Sequence, residues 1–445
     1  MRSPLCGVVC VVAVGLSALA PSHAVEFGAG LLGTGQVREG GRPDSTEVPS
    51  NLYGALLGSK LHHGVGGETY FRLARDWSRA DGATDFYLGF VRVPARGIEL
   101  SLGRQTLDDA PGALYVADAG RIRFDRGGGW AFSLFGGQPR YFEPLRGPEI
   151  VSQDEQLFGG SVRLRWSPQA TLALSFLQLQ REHRRVNQLA GAVWQHTVAQ
   201  LAGRPRVYAL ASYDTAESSL QQATVGSGVA VHPRVFLRLE GAYYKPQERS
   251  KEVLPGLDRF SDPLFALFSA SSLKQGRAGL QIRWKPNVSW YVDYAFQRFE
   301  ETPGRAVDGH RGSVGFVWLP EGDGLEMVRW EFYTTDSRGG QLQAGRAYYE
   351  NRVYERVLLR GKIEVARFDK ITNQSDTVVS SRVGVAYELF PGLLAELNVE
   401  GNRSPRFDQE FRLGFFLTYN VHYRDGWEAR TLDRPVLRLP GGWAG

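Results

Sequence analysis

The chain has 445 residues, with 52 lysines and arginines against 47 aspartates and glutamates, so its formal net charge at pH 7 is only +5. A balance this close to neutral gives no basis for nucleic-acid binding. The chain also has 53 glycines, 24 phenylalanines, 18 tyrosines and 10 tryptophans, but only two methionines. This composition favours β-sheets over helices.

The first 24 residues have the features of a secretory signal peptide. Arg2 precedes an apolar run at residues 5–20, and the segment ends on the small residue Ala24. A charged start, a short apolar core and small residues before the cut are typical of a Sec signal. We predict cleavage after Ala24. Both cysteines, Cys6 and Cys10, lie inside this leader, so the exported chain would have no disulfide, Cys-ligated metal or haem attachment.

Short segments with apolar side chains at every second position follow one another from residue 25 to residue 423. The clearest are residues 235–244, 288–297, 379–389 and 411–423. In the last of these, one side carries only Phe, Leu, Tyr and Val, with aromatic residues at both ends. An uncharged band of this length is typical of a strand that spans an outer membrane. Residues 174–179 alternate poorly, and no apolar run after residue 24 approaches the length of a spanning helix.

The connections between these segments alternate between two classes. Short turns at residues 94–97, 127–129, 167–169, 232–234, 285–287 and 390–392 alternate with longer polar loops at residues 38–50, 106–112, 140–154, 247–272, 300–309 and 368–376. Short turns on one rim and long loops on the other are the layout of outer-membrane barrels. We therefore predict an all-β protein: a transmembrane antiparallel β-barrel of about 22 strands, within a range of 18–22. It covers residues 25–425, followed by a periplasmic tail at 426–445.

This layout resembles the Gram-negative outer-membrane porins over nearly all of the exported chain. A local likeness lies in residues 412–419, where Gly414, Leu417 and Tyr419 match the signal read by the barrel-assembly machinery. The segment departs from the usual pattern because the chain continues to Gly445. Residues 102–105 and 120–125 are similar to wide-barrel polysaccharide-export porins. The resemblance implies an outer-membrane location, with the lipid bilayer and the assembly machinery as partners.

Ionic side chains fall opposite the apolar side of the predicted strands. The candidate pore-lining residues are Arg121, Arg123, Arg163, Arg165, Arg238, Glu240, Arg283, Asp293, Arg329, Glu331, Arg360, Lys362, Arg382 and Arg412. One interpretation is a set of cross-strand ion pairs that stiffens the barrel. The other is that the surplus of arginine biases a pore towards anions.

The longest predicted loop, at residues 247–272, carries an apolar patch of Leu264, Phe265, Leu267 and Phe268. Such a patch is expected to fold into the lumen as a constriction or plug, to dock a partner, or to pack against neighbouring loops. The histidines lack the spacing of a metal site, and no Gly-x-Ser-x-Gly elbow is present. We expect neither an enzyme nor a bound cofactor.

Two functional hypotheses follow. The first is an outer-membrane channel through which polar solutes or a chain-like substrate pass along a charged lumen. The second is a scaffold barrel that sheathes a partner protein, such as the multihaem cytochrome of an outer-membrane electron conduit. The second hypothesis follows from the width of the predicted barrel. Known barrels of about 22 strands hold a plug, and we find no plug domain before the first predicted strand, so a partner protein is expected to fill the lumen.

Overall fold

The computed structural model describes residues 26–39, 46–59, 65–78, 81–107, 115–125, 127–143, 147–150, 155–181, 184–245, 272–302, 305–320, 327–337, 340–369, 376–404, 407–424 and 427–429. The predicted signal peptide, the apolar patch of Leu264, Phe265, Leu267 and Phe268, and most of the predicted tail lie outside these ranges. None of the described residues belongs to a helix long and apolar enough to cross a membrane.

The described residues form 25 strands. Their bounds are β1 Glu26–Glu39, β2 Thr46–Glu47, β3 Pro49–Ser59, β4 Gly66–Asp76, β5 Asp81–Ala95, β6 Ile98–Leu107, β7 Tyr115–Asp125, β8 Trp130–Glu143, β9 Gly147–Ile150, β10 Glu155–Ser167, β11 Ala170–Arg181, β12 Arg184–Thr197, β13 Arg206–Asp214, β14 Ser219–His232, β15 Val235–Tyr244, β16 Ser272–Lys285, β17 Val288–Thr302, β18 Arg305–Trp318, β19 Met327–Ser337, β20 Gly340–Tyr354, β21 Val357–Asp369, β22 Asp376–Phe390, β23 Leu393–Ser404, β24 Phe407–Arg424 and β25 Trp427–Ala429.

Twenty-two of these strands form one closed antiparallel barrel, and β2, β9 and β25 are short additions at its edges. Each long strand pairs with the next long strand along the chain. The barrel closes where β1 pairs with β24, with Glu26 opposite Arg424 and Arg38 opposite Arg412. The predicted fold and strand number are therefore confirmed.

The sheet has an apolar face and a polar face, which β24 illustrates. Phe411, Leu413 and Phe415 point to the apolar face and are 61%, 46% and 48% exposed. Arg412 and Gly414, between them, point to the polar face and are less exposed. Because side chains alternate along a strand, cross-strand pairing carries this division from one strand to the next.

The connections are sorted by length only in part. We call the rim that holds the start of β1 and the end of β24 the turn rim. At this rim, two residues connect β16 to β17, and two residues connect β22 to β23. We call the opposite rim the loop rim. It has the long connections that lead into β16 and β3, but several of its other connections are only two residues long. The predicted loop at 300–309 is wrong, because β17 continues to Thr302 and β18 begins at Arg305. The polar residues of this segment therefore continue the backbone pairing between β17 and β18, and only the residues between Thr302 and Arg305 connect the two strands.

The poor alternation of residues 174–179 has a packing cause. Leu174 and Phe176 lie on the apolar face, whereas Leu177 and Leu179 lie on the polar face of β11. There the two leucines are buried in an apolar cluster with Leu107, Ala117, Ala119, Phe135, Leu157 and Leu189. Leucine on both faces removes the period of two that the rest of the strand shows.

Candidate functional site: the polar face of the barrel

Strand register places all fourteen predicted pore-lining residues on the polar face. Residues that lie opposite one another on neighbouring strands form a rung of the sheet. On one rung, Arg382 lies opposite Glu400, which lies opposite Arg412 on the next strand. On another rung, Glu240 lies opposite Arg277. Oppositely charged residues thus share rungs as well as positions two apart on one strand, which brings them within ion-pair distance.

A first ionic group lies on β20, β21 and β23. Arg360 donates through Nε to Oε2 of Glu350 at 2.9 Å and through Nη1 to Glu396. Tyr348 donates its hydroxyl to the same Glu350 oxygen at 2.5 Å. Glu396 is only 5% exposed. A carboxylate this well shielded needs its partner, since an unpaired buried charge is strongly unfavourable.

A second group joins β19, β20 and β21. Glu331, 8% exposed, accepts from Nε of Arg346 at 2.6 Å and lies 3.5 Å from Nη2 of Arg329. Glu364 accepts from the hydroxyl of Tyr333 at 3.2 Å and pairs with Lys362 at 3.1 Å. Each carboxylate has at least two donors, which holds both side chains in one geometry.

Smaller groups continue the pattern on either side. Arg238 pairs with Glu240 at 2.7 Å, and Nη2 of Arg277 lies 2.9 Å from Asp293. On β24, Arg412 pairs with Glu410 at 2.7 Å and reaches Glu400 at 3.5 Å. Most cations named in these groups are therefore paired with carboxylates, whereas Arg283 and Arg311, also on the polar face, have no acidic partner among the described residues.

On the polar face of β7 and β10, arginines without a close carboxylate lie together near one rim. Arg123 has a distant partner in Asp125, at 3.8 Å. Arg163 and Arg165 have no acidic partner among the described residues, and Arg165 is exposed. We call Arg123, Arg163 and Arg165 the basic arc. It lies near the turns that join β7 to β8 and β10 to β11, at the turn rim.

The sequence-based prediction missed several residues of the polar face. Arg72 on β4 pairs with Asp85 on β5, whose side chain is only 3% exposed. Arg346 and Glu350 on β20 were also missed. In β4, Thr69, Phe71 and Leu73 alternate with Glu68, Tyr70 and Arg72, so the period of two could have revealed this strand. In β20 both faces mix polar and apolar residues, which hides the period.

The short strand β9 departs from the cylinder of the barrel. It pairs with the last residues of β8 and also lies close to β5, which is three strands away from β8 in the barrel. On the polar face of β6 and β7, the two strands between them, Leu107 and Ala117 are fully buried. The apolar cluster thus occupies the polar face near the loop rim, where β9 lies. Across the described ranges, no three His, Cys, Asp or Glu side chains are placed to hold a metal ion.

No protein-family model and no curated protein sequence matches the chain. The solved structures that are similar to the chain include three Pseudomonas aeruginosa proteins, each 11% identical to it. They are OpdQ (TM-score 0.46, 89% of this chain and 99% of the other), the outer membrane protein OpdK (0.45, 90% and 99%) and OccK2, also called OpdF (0.46, 89% and 98%).

Proposed function

We propose that the protein is an outer-membrane channel whose polar face lines a water-filled lumen. The observation that carries this is the sharp difference in exposure between the two faces of the closed sheet. Carboxylates of the polar face such as Asp85 and Glu396 are 2% and 5% exposed, whereas Leu102 and Val383 of the apolar face are 67% and 65% exposed. Side chains converge on the concave side of a closed sheet and spread apart on its convex side. The ionic face is therefore the inner one.

The outer face then needs an apolar surrounding. Several of its tryptophans lie close to the short turns of the turn rim: Trp130, Trp166, Trp284, Trp290 and Trp318. Tryptophan and tyrosine gather at the interfaces of a bilayer, where an amphipathic ring has both an apolar and a wet side. An exposed apolar band with an aromatic edge supports a membrane location. The predicted Sec signal supports the outer membrane.

Passage through this barrel is governed by an uneven charge distribution. The paired groups of β15–β24 contribute stiffness and little net charge. The basic arc contributes fixed positive charge near the turn rim, which raises the local concentration of anions. We infer a channel for polar solutes with a preference for anions.

A planar-bilayer recording of the refolded protein tests this function. We expect conductance steps and a reversal potential, across a salt gradient, that shows anion preference. Arg163→Glu with Arg165→Glu should shift the reversal potential towards cations. Arg298→Glu, which changes the same kind of charge at an exposed position near the loop rim, should shift it much less. A folded barrel without conductance steps would refute the channel.

The second candidate is a scaffold barrel that encloses a partner protein, for example a multihaem cytochrome. The width of the barrel supports this candidate, because a lumen enclosed by 22 strands has room for a folded protein. Copurification of a haem-stained protein, with conductance appearing only after its removal, would favour this candidate. A clean, conducting preparation of the single chain would exclude it as the main role.

Two further expectations belong to this proposal. Gly414, Leu417 and Tyr419 lie on β24, the strand that closes the barrel, and we propose that the assembly machinery reads them there. Leu264, Phe265, Leu267 and Phe268, which lie outside the described residues, are proposed as a constriction or docking patch. Replacing these four with serine should raise the conductance if they narrow the lumen.

A further inference from the structure

Four consecutive connections of the turn rim have no acidic residue near them. They join β10 to β11, β12 to β13, β14 to β15 and β16 to β17, and no aspartate or glutamate lies within five residues of any of them. Elsewhere the same rim differs. The turn between β22 and β23 has Glu388 and Glu396 within five residues and no lysine or arginine. Charge is therefore distributed unevenly round the turn rim.

Five cations lie at these acid-free connections. Arg204, Arg206, Arg234, Arg283 and Lys285 are all exposed, and none has an acidic partner among the described residues. Arg206 donates through Nη2 to the neutral Oε1 of Gln195 at 2.8 Å. We call the five cations the rim crescent. The crescent extends the positive charge of the basic arc along the turn rim.

Backbone hydrogen bonds show that the residues of the crescent are neighbours. The amide of Arg283 donates to the backbone oxygen of Arg234 at 2.7 Å. The amide of Ala230, four residues before Arg234, donates at 3.4 Å to the backbone oxygen of Gly203, which precedes Arg204. Paired strands are about 4.8 Å apart, so these connections lie side by side. The crescent is thus one continuous positive surface.

The connection between β12 and β13, at residues 198–205, has a fixed shape. The amide of Arg204 donates to the backbone oxygen of Leu201 at 3.0 Å. Gly203 has a φ of +76°, and a Cβ there would collide with the backbone oxygen of Ala230. Arg204 has a φ of +44°, which residues other than glycine rarely adopt. Such a conformation persists only where the surrounding structure enforces it, so this connection holds Leu201 and Arg204 in set positions.

Leu201 is an exposed apolar side chain at the aqueous end of the barrel. It is 57% exposed. The amide of Thr197 donates to the backbone oxygen of Gln169 in the preceding turn at 2.9 Å, so the residues after Thr197 project beyond that turn. Trp194, on the apolar face of β12, lies seven residues before Leu201, and tryptophan marks the interface of a bilayer. An exposed leucine with cations round it has the anatomy of a protein interface, an apolar centre inside a polar rim.

The cations of the crescent do not face the bilayer. Arg206 and Arg283 lie on the polar face of β13 and β16. Trp284, between Arg283 and Lys285, lies on the apolar face and is 65% exposed. Lipid headgroups at this rim would therefore meet the tryptophan, whereas the cations face water.

We propose that the rim crescent and Leu201 dock the acidic face of a folded periplasmic protein. The proposal rests on the outer-membrane location proposed above, which places the turn rim in the periplasm. A positive surface without carboxylates attracts an acidic partner, speeds its encounter with the barrel and disfavours basic proteins. Leu201 supplies the apolar centre of the contact. Because its backbone is already fixed, little conformational freedom is lost on binding.

Photocrosslinking in intact cells of the native bacterium tests the docking surface on the full chain. The photoreactive residue p-benzoylphenylalanine is introduced at Ala202, which leaves Leu201 in place. The control position is Leu319, which is 47% exposed at the same rim but outside the crescent. We expect a protein adduct from position 202 and none from position 319. The partner peptide joined to position 202, identified by mass spectrometry, should be rich in aspartate and glutamate.

Charge reversal separates a specific contact from chance proximity. Arg204→Glu with Arg234→Glu turns two attractions into repulsions and should lower the adduct yield about tenfold. Leu201→Ala should lower it about fivefold. The matched control is Arg96→Glu with Arg356→Glu at other turns of the same rim, and it should leave the yield unchanged. Arg96 matches Arg204 in its positive φ, +33°, and Arg356 matches Arg234 as the second residue of a two-residue turn.

Several results would overturn the proposal. These are no adduct, an adduct with lipid, an adduct with a second copy of the barrel, a partner peptide without acidic residues, and equal yields in the two charge-reversed pairs. Folding of each variant is checked by the heat-dependent shift in its gel migration. Conductance of the same variants separates the two ideas. Conducting barrels without an acidic adduct refute the docking surface alone, whereas barrels that form the adduct and do not conduct refute the channel alone.

Discussion

Replacing Arg360 with methionine tests whether the ion pairs of the polar face stabilise the barrel. Arg360 lies between Glu350 and Glu396, and its side chain is 13% exposed. Methionine keeps much of its length and apolar stem but removes the charge. The change leaves two carboxylates facing each other, of which Glu396 is 5% exposed.

The size of the loss follows from what the two carboxylates retain. Breaking a buried ion pair by removing one partner typically costs 3–5 kcal/mol. Glu350 keeps the hydrogen bond from Tyr348, and Arg382 still acts electrostatically on Glu396. We therefore expect the lower end, a loss of about 3 kcal/mol in the free energy of unfolding. Urea unfolding in detergent micelles, followed by tryptophan fluorescence, measures it.

Lys362→Met on the same strand is the matched control. Lys362 is 42% exposed and pairs with Glu364 at 3.1 Å, so its loss should cost about 0.5 kcal/mol. Adding Glu396→Gln to Arg360→Met should restore part of the stability, because it removes one of the stranded charges. If Arg360→Met and Lys362→Met destabilise the barrel equally, the reasoning from burial is wrong.

Three other predictions concern stability and use the same unfolding assay. Leu177→Ala should destabilise by about 3 kcal/mol, because Leu177 is fully buried in the apolar cluster. Leu174→Ala on the other face of the strand, where the side chain is 47% exposed, should cost less than half as much. Gly103→Ala should destabilise strongly, because φ is +122° and a Cβ would meet backbone of the adjacent strand, whereas Gly345→Ala has open space. Arg298→Gln should change little, since its ion pair spans 3.9 Å between half-exposed side chains.

The barrel and its two faces could be predicted from the sequence because both follow from a period of two. In β24 the alternation of Phe411, Leu413 and Phe415 with Arg412 and Gly414 is visible without any partner strand. The same period placed Arg238, Glu240 and the other candidate residues on one face. Face is a property of a single strand, so one sequence is sufficient to assign it.

Partners could not be predicted, because they depend on the offset between strands. Arg360 reaches Glu396 on β23, two strands away across the sheet, and nothing in residues 357–369 specifies that neighbour. Leu177 and Leu179 disturbed the alternation for a tertiary reason, the cluster with Leu157 and Leu189. The sequence predicted a loop at the end of the β17–β18 hairpin because the residues there are polar. The backbone of these residues nevertheless stays paired beyond the apolar part of the two strands.

The pairing of β1 with β24 makes the two ends of the barrel sequence immediate neighbours, with Glu26 opposite Arg424 at one rim. A peptide linker could therefore join them, and the chain could be reopened at Pro286–Asn287 without breaking a single cross-strand rung. Such a circular permutant would move the seam to β16 and β17 and leave β24, with Gly414 and Tyr419, in the interior of the chain. Its insertion into membranes would show whether the assembly machinery needs that strand at the end of the polypeptide.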